Sequence, residues 1–322
     1  MIQFYKKRDF GAFISDTFVF FKEHGRNYFK NYFMINGVLL IFMVAFFIIG
    51  YREFISPFLG STGSGQSAYF ETYFQENQVL MIFSFILLFV LFFVITMVSY
   101  LFPVFYMKRV SETGNKNIRT DEMISDFKNN IGRFLIFFLG LLFIVFPLIM
   151  VAFGITALLM MILIGFLLIF LLGPAILNVV NFLMFDYFHT KKGFFESLSY
   201  SIRAQFSYKN GREKSPFWKY WGATTSMYFI LQVISSIFTM IPVFIMMFFV
   251  FTDPNAVEMQ QNPFEGPMGI LIFSIYGFSI LFSFVMMNLI FVNSGLQYYD
   301  SRTDLHRSLD LNEIDLIGTD EI

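Results

Sequence analysis

Asp186 and His189 stand three residues apart in the run "FDYFH", a spacing that puts a carboxylate and an imidazole on one side of a helix. Such a couple could exchange a proton or begin a metal site. No third ligand is suggested nearby, and the pair also fits the plainer role of marking the end of a long apolar helix. The plainer role is the reading adopted: no catalytic, cofactor-binding or metal-binding residue is assigned.

A second chemistry belongs to neutral amides inside apolar surroundings. Asn178, Asn181, Gln232, Asn288 and Asn293 fall within long uncharged runs, as do Asn36, Ser235 and Ser236. Side chains of this kind tie membrane helices together, each hydrogen bond contributing on the order of 0.6 kcal/mol. The alternative is that they line a polar path for a solute or lipid. Tying is the preferred reading.

Other chemistries find no residues to carry them. The chain has no cysteine, so disulfides, thiol catalysis and Cys-ligated metals are excluded. It has no His-Glu-x-x-His pair, no Gly-x-Ser-x-Gly elbow and no phosphate loop. The glycine-rich "GSTGSGQS" at 60–67 lacks the loop's lysine and reads as linker. All three histidines (His24, His189, His306) lie outside the spans' interiors. Nineteen methionines and fifty phenylalanines are packing material for lipid-facing helices.

The elements that must position these side chains follow from charge distribution. Of 322 residues, 57% are hydrophobic and 14% charged, against about 25% charged in an ordinary soluble domain. Residues 31–51, 77–107, 134–185, 220–252 and 266–299 contain no ionisable acid or base. At 1.5 Å per residue, about 20 residues cross the ~30 Å hydrocarbon core. The 52-residue interval therefore holds two spans, with a reversal expected near Gly154. Six spans result, near 32–51, 79–106, 134–153, 156–178, 220–250 and 268–296. Among Pro103, Pro147, Pro174 and Pro242, the Gly173-Pro174 step is the expected break.

Orientation follows from lysine and arginine. Six precede span 1, six follow span 2, seven separate spans 4 and 5, and two lie in the tail, whereas the opposite side has Arg52 alone. Both termini are expected in the cytoplasm. No cleavable leader is expected, span 1 serving as an uncleaved anchor. The two exterior loops, "SPFLGSTGSGQSAYFETYFQENQ" and "TDPNAVEMQQNPFEGP", are short and acidic.

The segments entering spans 1, 3 and 5 share a design. "FGAFISDTFVFFKEHGRNYFKNYF" sets Phe10, Phe13, Ile14, Thr17, Phe18 and Phe21 on one wheel face, opposite a polar stripe at Asp9, Asp16, Glu23 and Lys30. "RTDEMISDFKNNIGRF" offers Thr120 as N-cap, Asp121 and Glu122 in the first turn, and an apolar stripe through Phe127. "GFFESLSYSIRAQFSYKNG" puts Phe195, Leu198, Ile202 and Phe206 opposite Glu196, Ser199, Arg203 and Ser207. Each is expected to be an amphipathic helix at the membrane interface. The expected fold is all-α: a six-helix membrane domain over 1–299 in three hairpins, repeating at 9–107, 119–185 and 193–299. An acidic cytoplasmic tail over 300–322 follows, whose "LDLNEIDLIG" would dock on the basic underside or on a partner.

"FISDTFVFFKEHGRNYFKNYF", "ESLSYSIRAQFSYKNGREKSPFWKYW" and "LQYYDSRTDLH" together give the chain a layout that resembles a loose group of bacterial six-helix membrane proteins. That group includes the membrane-domain family named for glycerophosphoryl diester phosphodiesterases. The resemblance implies a membrane module without the hydrolase, since "HRS" at 306–308 is not the barrel's His-Arg-Gly start. The function expected is a non-enzymatic inner-membrane subunit or scaffold that docks partners through its cytoplasmic face. Phe10, Phe13, Phe18, Phe127, Phe195 and Arg203 are the candidate interface. The alternative function is a transporter or lipid-handling protein. Expected partners are the bilayer and other membrane-associated proteins, with no nucleic acid and no cofactor.

Overall fold

Asp9 opens the first helix as an N-cap, its Oδ1 accepting the Ala12 N–H at 2.7 Å. With no proline behind it, the helical ladder runs unbroken from there: α1 spans Phe10–Gly50, 41 residues or about 61 Å, twice the hydrocarbon thickness. In this computed structural model the described residues are 2–50, 72, 75–190, 192–207, 215–252 and 266–302. Most of the two expected exterior loops, the 60–67 run, Arg52 and the tail from 303 onward, with its His306 and "LDLNEIDLIG", lie outside them.

Every element among the described residues is helical. After α1 come α2 (Gln78–Thr113), α3 (Thr120–Asn129) and α4 (Ile131–Gly140). A π-helical turn (Leu141–Val145) leads into α5 (Phe146–Leu159) and a 3-10 turn (Met160–Ile162). The order closes with α6 (Ile164–His189), α7 (Phe194–Phe206), α8 (Phe217–Thr252) and α9 (Gly266–Ser301). Among the described residues, six stretches are long and apolar enough to cross a bilayer: Phe10–Ile49, Gln78–Thr113, Ile131–Ile162, Ile164–His189, Phe217–Ile245 and Ile270–Ser301. The protein is a multi-pass, all-helical membrane protein.

Four local expectations are corrected. The entry to span 1 is not a separate helix but the first half of α1. Its inward residues, Phe13, Thr17, Phe20, His24, Tyr28 and Asn31, are buried in protein, while Phe10 and Phe18 face outward. The reversal lies at Leu163, not Gly154. Leu163 adopts φ 65° and donates its N–H to Met160 O at 3.0 Å, a left-handed helix stop. Gly154 sits inside α5 with open space where a Cβ would go; at Gly165 a Cβ would run into Thr156 O and Met160 N. So Gly165, by lacking a side chain, lets α6 start this close to α5. Third, α6 continues through Gly173-Pro174. Pro174 cannot donate to a carbonyl one turn back, and the Trp221 indole N–H supplies a donor to the neighbouring Leu171 O at 3.0 Å. Fourth, the cap position of α3 is Arg119, and Thr120 instead donates its hydroxyl to Asn31 Oδ1 at 2.6 Å. The π-helical turn precedes Pro147, another position that has no N–H to give.

The described chain divides into two compact units. Unit 1 comprises Met1–Asn31, Tyr100–Phe229 and Asn288–Ile322. Its core is aromatic: Phe20, Tyr28, Phe102 and Tyr106 pack edge to face, and so do Phe182, Tyr220 and Tyr298. Asn27 and Asn31 bind the α2–α3 connection, both amides donating to Ile118 O at 3.1 and 3.0 Å. Arg133 stacks on Tyr187 and donates to Tyr187 O and Lys192 O at 2.5 and 2.9 Å, covering the last carbonyls of α6. The ring of Phe194 fills the space over Gly140, which seats α7.

Unit 2 comprises Tyr32–Ser99 and Ile230–Met287. A polar knot joins its helices: Asn36 Nδ2 donates to Ser99 Oγ at 2.7 Å and to Tyr32 OH at 3.2 Å, and Tyr32 OH donates to Phe284 O at 3.4 Å. Gly277 packs closely on Val44, and the tilted rings of Phe238 and Phe282 meet with centroids 4.0 Å apart.

Candidate functional site

The C-terminal turn of α9 carries Tyr298, Tyr299, Asp300 and, just beyond, Arg302, and all are buried. A charge in that position must be matched, because an unpaired one costs several kcal/mol. Asp300 is matched on both oxygens. Its Oδ1 accepts the backbone N–H of Arg8 at 2.6 Å; Oδ2 accepts Lys219 Nζ at 2.7 Å and Tyr220 OH at 2.6 Å. Lys219 also donates to Arg8 O at 2.8 Å. The Arg8 guanidinium binds Asp16 at 2.9 Å and the carbonyls of Gln3, Phe4 and Lys6, so the segment before α1 folds around its own arginine.

A second cluster gathers at Asp186. Its Oδ1 accepts Arg302 Nη1 at 3.0 Å and Tyr298 OH at 3.3 Å, and Lys192 Nζ stands 3.9 Å from Oδ2. The Tyr200 ring lies under both cations, 5.3 Å from Lys192 and 5.2 Å from Arg302. His189 takes a different partner, Tyr5 OH at 3.0 Å, with its ring against Tyr298 and Tyr299. The two residues that sequence spacing sets on one helix side therefore serve different contacts. Burial pushes the Tyr5 phenol above its ordinary range, so it enters that contact protonated. At the surface, the hydrogen bond from Arg119 holds the Asp121 carboxyl below the usual range.

The intramembrane amides pair helix to helix. Thr224 of α8 donates to Asn178 Oδ1 of α6 at 2.6 Å, and Asn181 Nδ2 donates to Ser294 Oγ of α9 at 2.9 Å. Tyr28 of α1 donates to Asn288 Oδ1 at 2.6 Å. Asn293 Nδ2 donates to Phe13 O and Thr17 Oγ1 at 3.0 and 3.1 Å. Gln297 joins them, its Nε2 donating to Asn293 Oδ1 at 2.7 Å and Thr224 Oγ1 at 3.0 Å. Gln232 stays apart, exposed in unit 2. Sequence reasoning set Thr17 and Tyr28 on the apolar face of the first helix, not as partners of these amides, and did not single out Thr224, Ser294 or Gln297. The signal was there in α9, where polar residues recur every three to five positions at 288, 293, 297 and 300.

No family model, curated protein or solved structure matches this chain.

The candidate interface residues divide. Phe10, Phe18 and Phe195 expose 44%, 47% and 68% of their surface, and Arg203 is exposed beside Ser199, to which it donates at 2.9 Å. Phe13 is instead fully buried, against Tyr220 and under Lys219, and Phe127 leans half-buried on Phe105 at 5.1 Å. Phe13 is therefore core and cannot belong to a docking surface. Among the described residues no group of three or more His, Asp or Glu could hold a metal ion. Chemically, the arrangement is a set of matched acids and bases that locks α1, α6, α8 and α9 together at one end of unit 1.

Proposed function

We propose that this protein is a non-enzymatic, multi-pass scaffold of a bacterial inner-membrane assembly, with three hairpins and both termini in the cytoplasm. Its relation to the six-helix modules described above is part of the same reading. The observation that carries it is the pairing of Asn178, Asn181, Asn288 and Asn293 with side chains or backbone of neighbouring helices. A transport path needs such amides to converge on a shared opening; amides spent on Thr224, Ser294, Tyr28 and Thr17 hold helices in place instead. The matched clusters at Asp186 and Asp300 act in the same sense, making one end of unit 1 a rigid platform. Phe10, Phe18, Phe195 and Arg203 are its outward contacts.

The test is extraction from native membranes in mild detergent, followed by mass measurement of the intact particle. A discrete particle with another polypeptide at fixed stoichiometry, reduced by F195A/R203A without loss of the protein's own stability, is the expected result. A lone monomer whose reconstituted vesicles take up a solute, with uptake lost in N178L or N293L, overturns it.

A further inference from the structure

On α1, Lys22, Arg26 and Lys30 are the exposed residues of the stretch from Phe20 to Tyr32, each one helical turn from the next. The chain commits its nearby acids elsewhere. Asp16 binds Arg8, Glu23 accepts the Ile2 N–H at 3.1 Å, Glu122 and Asp126 bind Arg109, and Asp121 binds Arg119. Among the described residues, none of the three cations joins an ion pair. From Lys22 to Lys30 the stripe rises about 12 Å. Further along the helix the outward positions turn wholly apolar: Phe33, Met34, Val38, Ile41 and Phe42 are exposed by 44–64%. In a helix that crosses a bilayer, that change of character marks the boundary between headgroups and acyl chains.

We propose that Lys22, Arg26 and Lys30 form a docking site for the phosphates of anionic phospholipid headgroups. Charge complementarity carries the assignment, together with continuity between the cationic stripe and the lipid-facing surface of the same helix. A protein partner fits this face poorly. Protein interfaces are built on aromatic or aliphatic anchors and are depleted in lysine, and this stretch exposes no apolar anchor between its cations. A row of lysine and arginine at headgroup depth attracts anionic lipid about fivefold per residue. The site narrows the scaffold reading: this side of α1 goes to lipid, Phe18 one turn before Lys22 included, and Phe10, Phe195 and Arg203 remain the partner contacts.

The experiment places the full chain in phosphatidylcholine nanodiscs with and without phosphatidylglycerol and measures retained lipid by native mass spectrometry. Wild type is expected to retain phosphatidylglycerol, and K22Q/R26Q/K30Q to lose about a hundredfold in that retention, with phosphatidylcholine unchanged and the effect shrinking as salt rises. A control, K6Q/K7Q/K128Q, removes the same charge from other exposed positions. Equal loss in the control, or no loss in the first triple variant, overturns the site. So does a truncation of residues 303–322 that raises retention in wild type only, since the acidic tail would then be the occupant. Far-UV circular dichroism of both variants guards against unfolding; should the triple variant unfold, the single variant R26Q, expected to lose about fivefold, decides.

Discussion

Asp300→Asn removes the charge from a carboxylate that is wholly buried and takes three hydrogen bonds, from Arg8 N, Lys219 Nζ and Tyr220 OH. The amide keeps one acceptor oxygen but turns two donors toward a site already full of donors, and it removes the carboxylate charge that faces the Lys219 ammonium at 2.7 Å. Breaking a buried pair in this one-sided way costs about 3–5 kcal/mol. The Lys219 side chain is 21% exposed, which screens part of its charge and sets the expectation at the lower end, about 3 kcal/mol. Lys219→Met strands the opposite charge and should cost a similar amount. The double variant removes both charges together and should cost less than the sum by at least about 1.5 kcal/mol, as coupled neighbours do. Equilibrium unfolding in mixed micelles reads these values, by far-UV circular dichroism and by the fluorescence of Trp218 and Trp221, the two tryptophans of the chain and both in α8 beside Lys219. A loss below about 0.5 kcal/mol for Asp300→Asn is what an exposed pair would give. That result, or strict additivity in the double variant, refutes the buried lock.

Other expectations can be checked by the same unfolding assay. Gly165→Ala should destabilise by about 1–3 kcal/mol through forced backbone movement, whereas Gly154→Ala, with open space around it, should be neutral or slightly stabilising; the reverse ranking would return the helix reversal to Gly154. Gly295→Leu drives a side chain into Met107 and Phe185, already 2.6 and 2.7 Å from a Cβ placed there, and should cost at least as much as Gly165→Ala. Asn293→Leu removes the donor to Phe13 O and Thr17 and the acceptor for Gln297, so about 1–2 kcal/mol should be lost, against no change for Gln232→Leu.

The helical class and the six spans were legible because hydrophobic thickness is a length and a charge-free run measures it directly. The choice of tying over lining for the amides was a judgement of chemistry, and four of the five named residues do pair across helices. What remained hidden was hidden for physical reasons. Asp300 reads as the first acid of a tail because sequence shows its acidic neighbours downstream and not Lys219 or Arg8, which are distant along the chain. Phe13 and Phe18 look alike on a wheel drawn for one helix against lipid; packing against Tyr220 then buries the first and leaves the second outside. Gly154 was a better guess than Leu163 for a reversal on conformational grounds, since leucine rarely adopts positive φ. The close approach at Gly165 outweighed that preference. Asp186 and His189 share a helix, but which partner each meets depends on Tyr5 and Arg302, at opposite ends of the chain.

The indole of Trp221 acts as a splint for Pro174. Because its N–H occupies a carbonyl beside the proline, the path of α6 through this step is held by a side chain of α8 and not by α6 alone. Sliding one helix past the other therefore requires pulling the tryptophan from its seat. Mechanical load placed on either is shared by both, and Trp221→Phe would uncouple them while leaving the edge-to-face contact with Phe170 in place.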